Sequence, residues 1–581
     1  MDTPLVNLLW GSLAALASYK IYRRLGLSRV KHPSLTGHSR MAKAFTRLVP
    51  RYAYDDEHWL GMDHAEATTV SQRRAGFETL VADLAQRSPK TIEAATRAAR
   101  YISDAQFIRH NRIPLQFRNA DLLRLKTGNL WNESQGSRLI DLDGQSFVDV
   151  SGSYGVNLFG LDFYKETIDE AAREAGNLGP SLGGYHPSIL PATEMLMQIS
   201  GMEEISFHMS GTEAVMQAVR LARYHTGKKK LVRFSGAYHG WWDDVQPGPG
   251  NPMPPSRHTL TLRECYEPTL AHLRTRNDVA CVLVNPIQAM HPNRNAPTDA
   301  LLIDGQRHVE FDKDAYTQWL GALRRACTEK GIVLIMDEVF LGFRLALGGA
   351  QEYFHVRADL VTYGKTLGGG LPIGVLCGKA QYMQRFKPNQ PADVCFARGT
   401  FNAHPHVIAA MHAFLKRVTT PECRQRYAEV DDLWNQRRES ANQRCKDLNL
   451  PMRFVGMPTV WSLVFDRPGR YHWLLQFYLR REGIYLSWVG TGRLIFNFGF
   501  SDEDFNEFVS RFTSAALKFQ ADGWLTAPEG LTAKSIRRGV LREVLSYRFM
   551  RPARDPWDRS VRPSSDTAVP DGRALYRERG L

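Results

Sequence analysis

From about residue 150 to residue 415, short apolar runs alternate with segments of helical spacing, and this alternation narrows the possible folds more than any other feature of the chain. Val279-Ala280-Cys281-Val282-Leu283-Val284 and Ile332-Val333-Leu334-Ile335-Met336 are too short for helices and apolar at every position, as strands covered on both faces are. Tyr316 to Glu329, between them, reads as a helix. Strands joined by helices predict an α/β layered domain.

The flanks read differently. Residues 33 to about 112 are polar and mostly helical in pattern, with apolar positions at helical spacing across Thr91 to Ile102. Asp141-Leu142-Asp143-Gly144-Gln145 lies between Arg138-Leu139-Ile140 and Ser146-Phe147-Val148-Asp149-Val150 and predicts a β-hairpin that opens a new domain. After residue 416 the pattern is mixed α/β, up to a helix near Asp504 to Phe519. Past about residue 550 the chain is rich in Pro, Arg and Asp, a composition expected to stay disordered.

The net charge of +14 is concentrated at the ends. Residues 1 to 51 hold nine Lys and Arg against Asp2 alone, residues 534 to 581 hold twelve against six, and the 53 basic and 53 acidic residues between them cancel. A neutral body argues against a nucleic-acid groove, whereas basic ends fit an anionic membrane surface or an acidic protein partner. Leu5 to Ala17 is apolar and is followed by Lys20, Arg23 and Arg24. The stretch lacks the basic leading region of a secretory signal, and at about 15 to 18 apolar residues it falls short of the roughly 20 that span a bilayer. Two readings follow: a helix attached to membrane, by a short span or along the interface, and a helix docked on the protein's own surface. The seven cysteines are scattered with no C-x-x-C pair, which indicates neither a disulfide framework nor a zinc site and predicts a reducing compartment. The expected location is cytoplasmic, with membrane association through the N-terminus.

Three groups in the central domain have the makings of one site. Ser210-Gly211-Thr212 precede a helical pattern, so they form a turn whose free backbone N–H groups, hydroxyls and positive helix end suit a phosphate. Asp337 ends an apolar strand, where open α/β sheets place functional side chains. Lys365 stands between Gly364 and Gly368-Gly369-Gly370, small neighbours that let a bound group approach closely. Each alone has an ordinary reading: a helix cap, a strand-end cap, a loop lysine. Together they supply what pyridoxal phosphate requires: an amine for its aldehyde, a carboxylate for its ring nitrogen and donors for its phosphate. Tyr238, after the expected strand Lys230 to Phe234, would stack on the ring or pack in the core. Pro247, Pro249, Pro252, Pro254 and Pro255 mark a loop after Trp241-Trp242, read equally as a lid and as a plain surface excursion.

Five segments carry a resemblance: Met209 to Ala214; Gly236-Ala237-Tyr238-His239-Gly240; Met336-Asp337-Glu338-Val339 with Gly342-Phe343-Arg344; Gly364-Lys365 with Gly368 to Pro372; and Gly399-Thr400-Phe401. In order and spacing, over roughly residues 115 to 520, they resemble the class III pyridoxal-phosphate-dependent aminotransferases. The resemblance implies a fold-type I α/β homodimer, with a large domain around a mainly parallel seven-stranded sheet and a small α/β domain from both chain ends. The chain then divides into an apolar and basic first helix (1–30), a helical extension (31–114), the first part of the small domain (115–190), the large cofactor-binding domain (191–415), the rest of the small domain (416–545) and a basic, disordered tail (546–581). Carried over position by position, Lys365 would bond to pyridoxal 5'-phosphate and move protons, and Asp337 would pair with its ring nitrogen. Ser210, Gly211 and Thr212 would hold the phosphate, Tyr238 would stack, and Thr400 would reach the phosphate of the neighbouring subunit. The partners implied are a small-molecule amino donor and a carbonyl acceptor.

Within the class, Leu345-Ala346-Leu347-Gly348-Gly349-Ala350-Gln351 and Phe340 after Asp337-Glu338-Val339 resemble the glutamate-1-semialdehyde aminomutases. Gly155-Val156-Asn157-Leu158-Phe159-Gly160 and Glu213-Ala214-Val215-Met216 resemble the aminotransferase domains of polyketide and peptide synthetases, which would add an acidic acyl carrier protein to the candidate partners. Trp241-Trp242-Asp243-Asp244, Asn285-Pro286 and Asn402-Ala403-His404 depart from the aminomutase pattern. The tryptophans and the apolar first segment favour an aminotransferase for an apolar or carrier-bound acyl substrate. The aminomutase is the alternative and a non-catalytic scaffold the minor one. Arg493 is read as a surface arginine, with contact to a substrate carboxylate as the second reading.

Overall fold

The computed structural model describes residues 3–31, 38–49, 52–119, 121–246, 248, 250–254, 256–286, 312–486 and 493–547. Pro247, Pro249, Pro255 and all but the first two residues of the expected tail lie outside the described residues.

Seven strands form the central sheet: β1 (Glu204–His208), β2 (Lys230–Phe234), β3 (Thr259–Leu262), β4 (Val279–Val284), β5 (Val333–Asp337), β6 (Leu360–Gly364) and β7 (Gly374–Gly378). Their order across the sheet is β1-β7-β6-β5-β4-β2-β3. Only β7 runs antiparallel to its neighbours, β1 and β6. Every residue of β4 and β5 is buried. Leu334 and Met336 point into one apolar cluster and Val333 and Ile335 into another, so helices cover both faces of the sheet. Each such side chain withdrawn from water contributes about 1.5–3 kcal/mol.

The helices between strands begin and end where capping chemistry sets them. α1 (Thr3–Val30) is the long first helix. α2 (Gly211–Thr226) starts because the Ser210 hydroxyl accepts the Glu213 N–H, and it stops at Gly227, whose φ of 64° suits a residue without a Cβ. α3 (Lys313–Lys330), the connection expected over Tyr316 to Glu329, is capped by Asp312 and closed by Gly331.

Three smaller sheets accompany the central one among the described residues, the least of them the pair Phe386–Lys387 and Gln390–Val394. Trp131–Gln135, Arg138–Asp141 and Ser146–Asp149 form the expected hairpin with one more strand before it, and Ile484–Tyr485 adds in parallel. Met452–Met457, Val460–Phe465 and Arg493–Ile495 form an antiparallel sheet. The helical region after residue 51 packs into this part of the molecule: Trp59, Phe77 and Phe117 share one core with Trp461, Tyr471, Phe508 and Trp524. Arg73 is buried at its centre, bonded to Asp63 through both Nη atoms at 2.8 Å.

α1 is held at its last turns. Arg263 N–H donates to the Val30 carbonyl at 2.9 Å, and Lys31 bridges to Leu262 at the end of β3. Residues 10–22 are all exposed, with Trp10 at 68%. No helix among the described residues is long and apolar enough to cross a membrane, so α1 is not a span.

Candidate active site

The sheet brings the three groups to one edge. β5 ends in Asp337 and its neighbour β6 ends in Gly364, so Lys365 emerges beside it at the carboxyl ends of two parallel strands. The third group arrives through close backbone approach. A Cβ on Gly364 would stand 3.6 Å from Gly211 Cα and 3.3 Å from Val339, and a Cβ on Gly374 would collide with the Ser210 carbonyl. Glycine at these positions lets the first turn of α2 lie against β6 and β7.

Asp337 is buried, and its carboxylate is held at both oxygens. Oδ2 lies 2.7 Å from His239 Nδ1, while Oδ1 accepts the Val339 N–H at 3.1 Å and the Thr362 hydroxyl at 3.4 Å. Burial pushes the His239 pKa down, against the pull of Asp337. A neutral His239 donating from Nδ1 is the arrangement that satisfies an acceptor-only carboxylate. His239 Nε2 is buried with no hydrogen-bond partner among the described residues. The adjacent Glu338 is buried as well and accepts the N–H groups of Ala350 and Gln351 at 3.0 Å; burial raises its pKa to about 7.

Lys365 has a backbone φ of 50°, a left-handed conformation that costs a residue with a Cβ about 1–2 kcal/mol. Its Nζ lies 5.5 Å from the centre of the Phe340 ring. The amine pKa is lowered to about 8, first by burial and then by the positive charges of Arg344 and Arg493, with Asp337 opposing. Gly155 backs this arrangement: a Cβ there would press into Phe340 and reach 3.3 Å from Lys365 Cδ.

Tyr238 is 58% exposed and so is not a core residue. It precedes His239, and the Gly240 that follows touches the Thr212 side chain closely enough that any Cβ would clash. The loop after β2 thus ties the Asp337 side of the site to the phosphate side. Thr400 is exposed, and no hydrogen bond among the described residues joins it to this cluster. Arg493 is not a surface arginine. It is half-buried on Arg493–Ile495, burial pushes its pKa down to about 10, and its charge acts on Lys365. Position in the primary sequence gave no sign of this, because the burial comes from a strand pairing between distant segments.

These residues fit pyridoxal phosphate. Hydroxyls and N–H groups at the start of α2, a buried carboxylate, a buried amine whose pKa is lowered to about 8 and glycines where a Cβ would fill the space are the features such a group needs.

Comparison with known proteins agrees. The family described as "Aminotransferase class-III" matches residues 126–516. A glutamate-1-semialdehyde 2,1-aminomutase of Methanococcus maripaludis (strain C6 / ATCC BAA-1332) is 33% identical over 344 residues, which cover 56% of this chain and 74% of that protein. Among solved structures, a β-phenylalanine aminotransferase from Variovorax paradoxus aligns with a TM-score of 0.60 at 25% identity, covering 77% of this chain and 98% of that one. A glutamate-1-semialdehyde aminomutase from Pseudomonas aeruginosa PAO1 aligns at 0.61 and 20% identity, over 77% and 99%, and shares the fold.

Proposed function

Because the chain belongs to the class-III aminotransferase family, we propose that it moves an amino group from an amino donor to an aldehyde or ketone with an apolar, or carrier-bound acyl, body. Pyridoxal phosphate is the cofactor, and the activity is of the aminotransferase or aminomutase kind. When bound, the cofactor supplies an electron sink for charge developing at the substrate carbon that bears nitrogen. Asp337, oriented by His239, would hold a proton on the ring nitrogen. Ser210, Gly211 and Thr212 would bind the phosphate at the positive end of α2, and Tyr238 would lie against the ring. Lys365 would anchor the cofactor and then, as a free amine whose pKa is lowered to about 8, take a proton from the substrate carbon and return it.

The observation that supports an apolar substrate is Trp241, exposed directly after Gly240, which lies against the Thr212 side chain. Aminomutase action is the second reading, supported by the identity with the curated aminomutase. The chain would act as a homodimer, with Thr400 of one subunit serving the phosphate site of the other. The exposed α1, with Lys20, Arg23 and Arg24 and no acidic residue, would lie on an anionic membrane surface or against an acidic carrier protein.

A half-reaction tests the central claim: amino donors are added singly to the purified holoprotein, and the cofactor absorbance is followed. Conversion by a donor, reversed by a medium-chain aldehyde, is expected. Turnover of glutamate-1-semialdehyde with no donor consumed would replace the reading with the aminomutase.

A further inference from the structure

β5 and β6 carry Asp337 and Lys365 at their carboxyl ends. Their amino ends, with the far end of antiparallel β7, border a cleft of about 600 Å³. Arg324 and Arg325 of α3 form one wall, Arg357 and Asp359 just before β6 another, and Lys379 just after β7 a third. Ile332, Val356 and the Tyr382 ring add apolar surface. A strand of five residues is about 17 Å long, so this cleft and the cofactor residues are separate sites.

Four permanent cations line the cleft and one carboxylate faces them. Asp359 is 4% exposed and fully engaged: Oδ1 accepts from Lys379 Nζ at 2.7 Å, and Oδ2 accepts from Arg324 Nη1 at 2.7 Å and from the Leu334 N–H at 2.9 Å. It balances one charge of the four. Arg357 donates Nη1 to the Ser200 carbonyl at 3.0 Å, a neutral acceptor, and Arg325 has no ion pair among the described residues. The carbonyl end of α3 does not account for these cations, because the Gly331 N–H and Lys228 Nζ already serve its last carbonyls. Like charges gathered around one carboxylate repel, and a polyanion relieves that cost. Guanidinium forks match phosphate oxygens two at a time. The volume lies within the range of about 300–1,000 Å³ typical of small-molecule sites, which leaves room beyond the phosphates.

We infer that the cleft binds a small molecule bearing linked phosphates on an aromatic or apolar body, of the nucleoside diphosphate kind. Arg325 and Arg357 take the phosphates from two walls, and Tyr382 lies against the body. The site is filled together with the cofactor site, which is at the other edge of the sheet.

The test uses holoprotein, in which the cofactor's phosphate site is already occupied. Calorimetric titration compares adenosine 5'-diphosphate, inorganic pyrophosphate and adenosine. The diphosphate should bind, pyrophosphate about tenfold more weakly, and adenosine at least about a hundredfold more weakly. Arg325→Gln and Arg357→Gln, which change exposed side chains, should each weaken the diphosphate about tenfold and leave the cofactor absorbance unchanged. Arg47→Gln, which removes the same charge from Ser39–Leu48, should leave binding within about twofold. Weakening by Arg47→Gln equal to that of the cleft variants would show a general attraction of a basic protein for polyanions and overturn the site. Binding untouched by both cleft variants, or none to wild type, would overturn it as well. Pyrophosphate binding as tightly as the diphosphate would remove Tyr382 and the aromatic body from the proposal.

Discussion

His239 sets its Nδ1 2.7 Å from Asp337 Oδ2, with both side chains buried, and so fixes the carboxylate beside β6, the strand that ends just before Lys365. Charge, not shape, is what Asp337 would contribute to a bound ring. Asp337→Asn keeps the volume and removes the charge. It should slow the half-reaction by on the order of a hundred- to a thousandfold with the fold intact. His239→Asn, which alters only the orienting partner, should cost about tenfold. An Asp337→Asn enzyme as fast as wild type would take that residue out of the chemistry.

Lys365 titrates at about 8 because burial and two arginines disfavour its charge. Only the neutral amine can attack an aldehyde, so loading of pyridoxal phosphate onto apoprotein should speed up as pH rises and level off above about 8. An unperturbed lysine would still be accelerating at pH 10. Between pH 8 and 10.5 the unfolded chain binds more protons at this group than the folded apoprotein does, so apoprotein stability should rise with pH across that window. In Lys365→Met both dependences should vanish. Rates come from rapid-mixing absorbance and stabilities from denaturant melts.

The start of α2 tolerates no bulk. A Cβ on Gly211 already meets the Val339 side chain, so Gly211→Val should push the first turn away from β6. Affinity for pyridoxal phosphate, titrated into apoprotein, should fall about ten- to a hundredfold, with the far-ultraviolet circular dichroism unchanged. Unaltered affinity would mean that the phosphate sits elsewhere.

Arg73 joins the region after residue 51 to the C-terminal part of the chain. Besides its two bonds to Asp63, it donates to the carbonyls of Leu60, Gly523 and Thr526 and lies 4.5 Å from the Tyr471 ring centre. Arg73→Leu leaves Asp63 buried and unpaired, which should cost about 3–5 kcal/mol in a denaturant melt. If the loss is under about 1 kcal/mol, the region is not an integral part of this core.

The central sheet and the three converging groups were legible because their signals are local. A run such as Val279 to Val284 states its own burial, and Ser210, Asp337 and Lys365 sit beside strand ends and glycines visible in the sequence. What escaped depends on contacts between distant segments. The Asp63–Arg73 pair looks like two ordinary surface charges until residues 52–125 fold against Tyr471 and Trp524. Arg493 reads as a surface residue until its strand pairs with Val460–Phe465. The place of His239 beside Tyr238 was a signal available in the sequence, but its partner, ninety-eight positions away, was not.

α1 presents Trp10, Leu13, Leu16, Tyr19 and Tyr22 to solvent, while its last turns touch the body. An exposed apolar surface of that extent calls for a partner. Lys20, Arg23, Arg24 and Arg29, with no acid on the helix, favour one bearing negative charge. Near an anionic leaflet each basic residue contributes about 1 kcal/mol, and the aromatic rings suit the headgroup level. In vesicle flotation, the full-length chain should bind phosphatidylserine-containing vesicles, bind pure phosphatidylcholine weakly, and release the former as salt is raised. A chain lacking residues 1–31 should bind neither. Trp10 emission should shift to the blue only with anionic vesicles. Equal flotation of the two chains would remove α1 from membrane binding and leave a protein partner as the occupant of this surface.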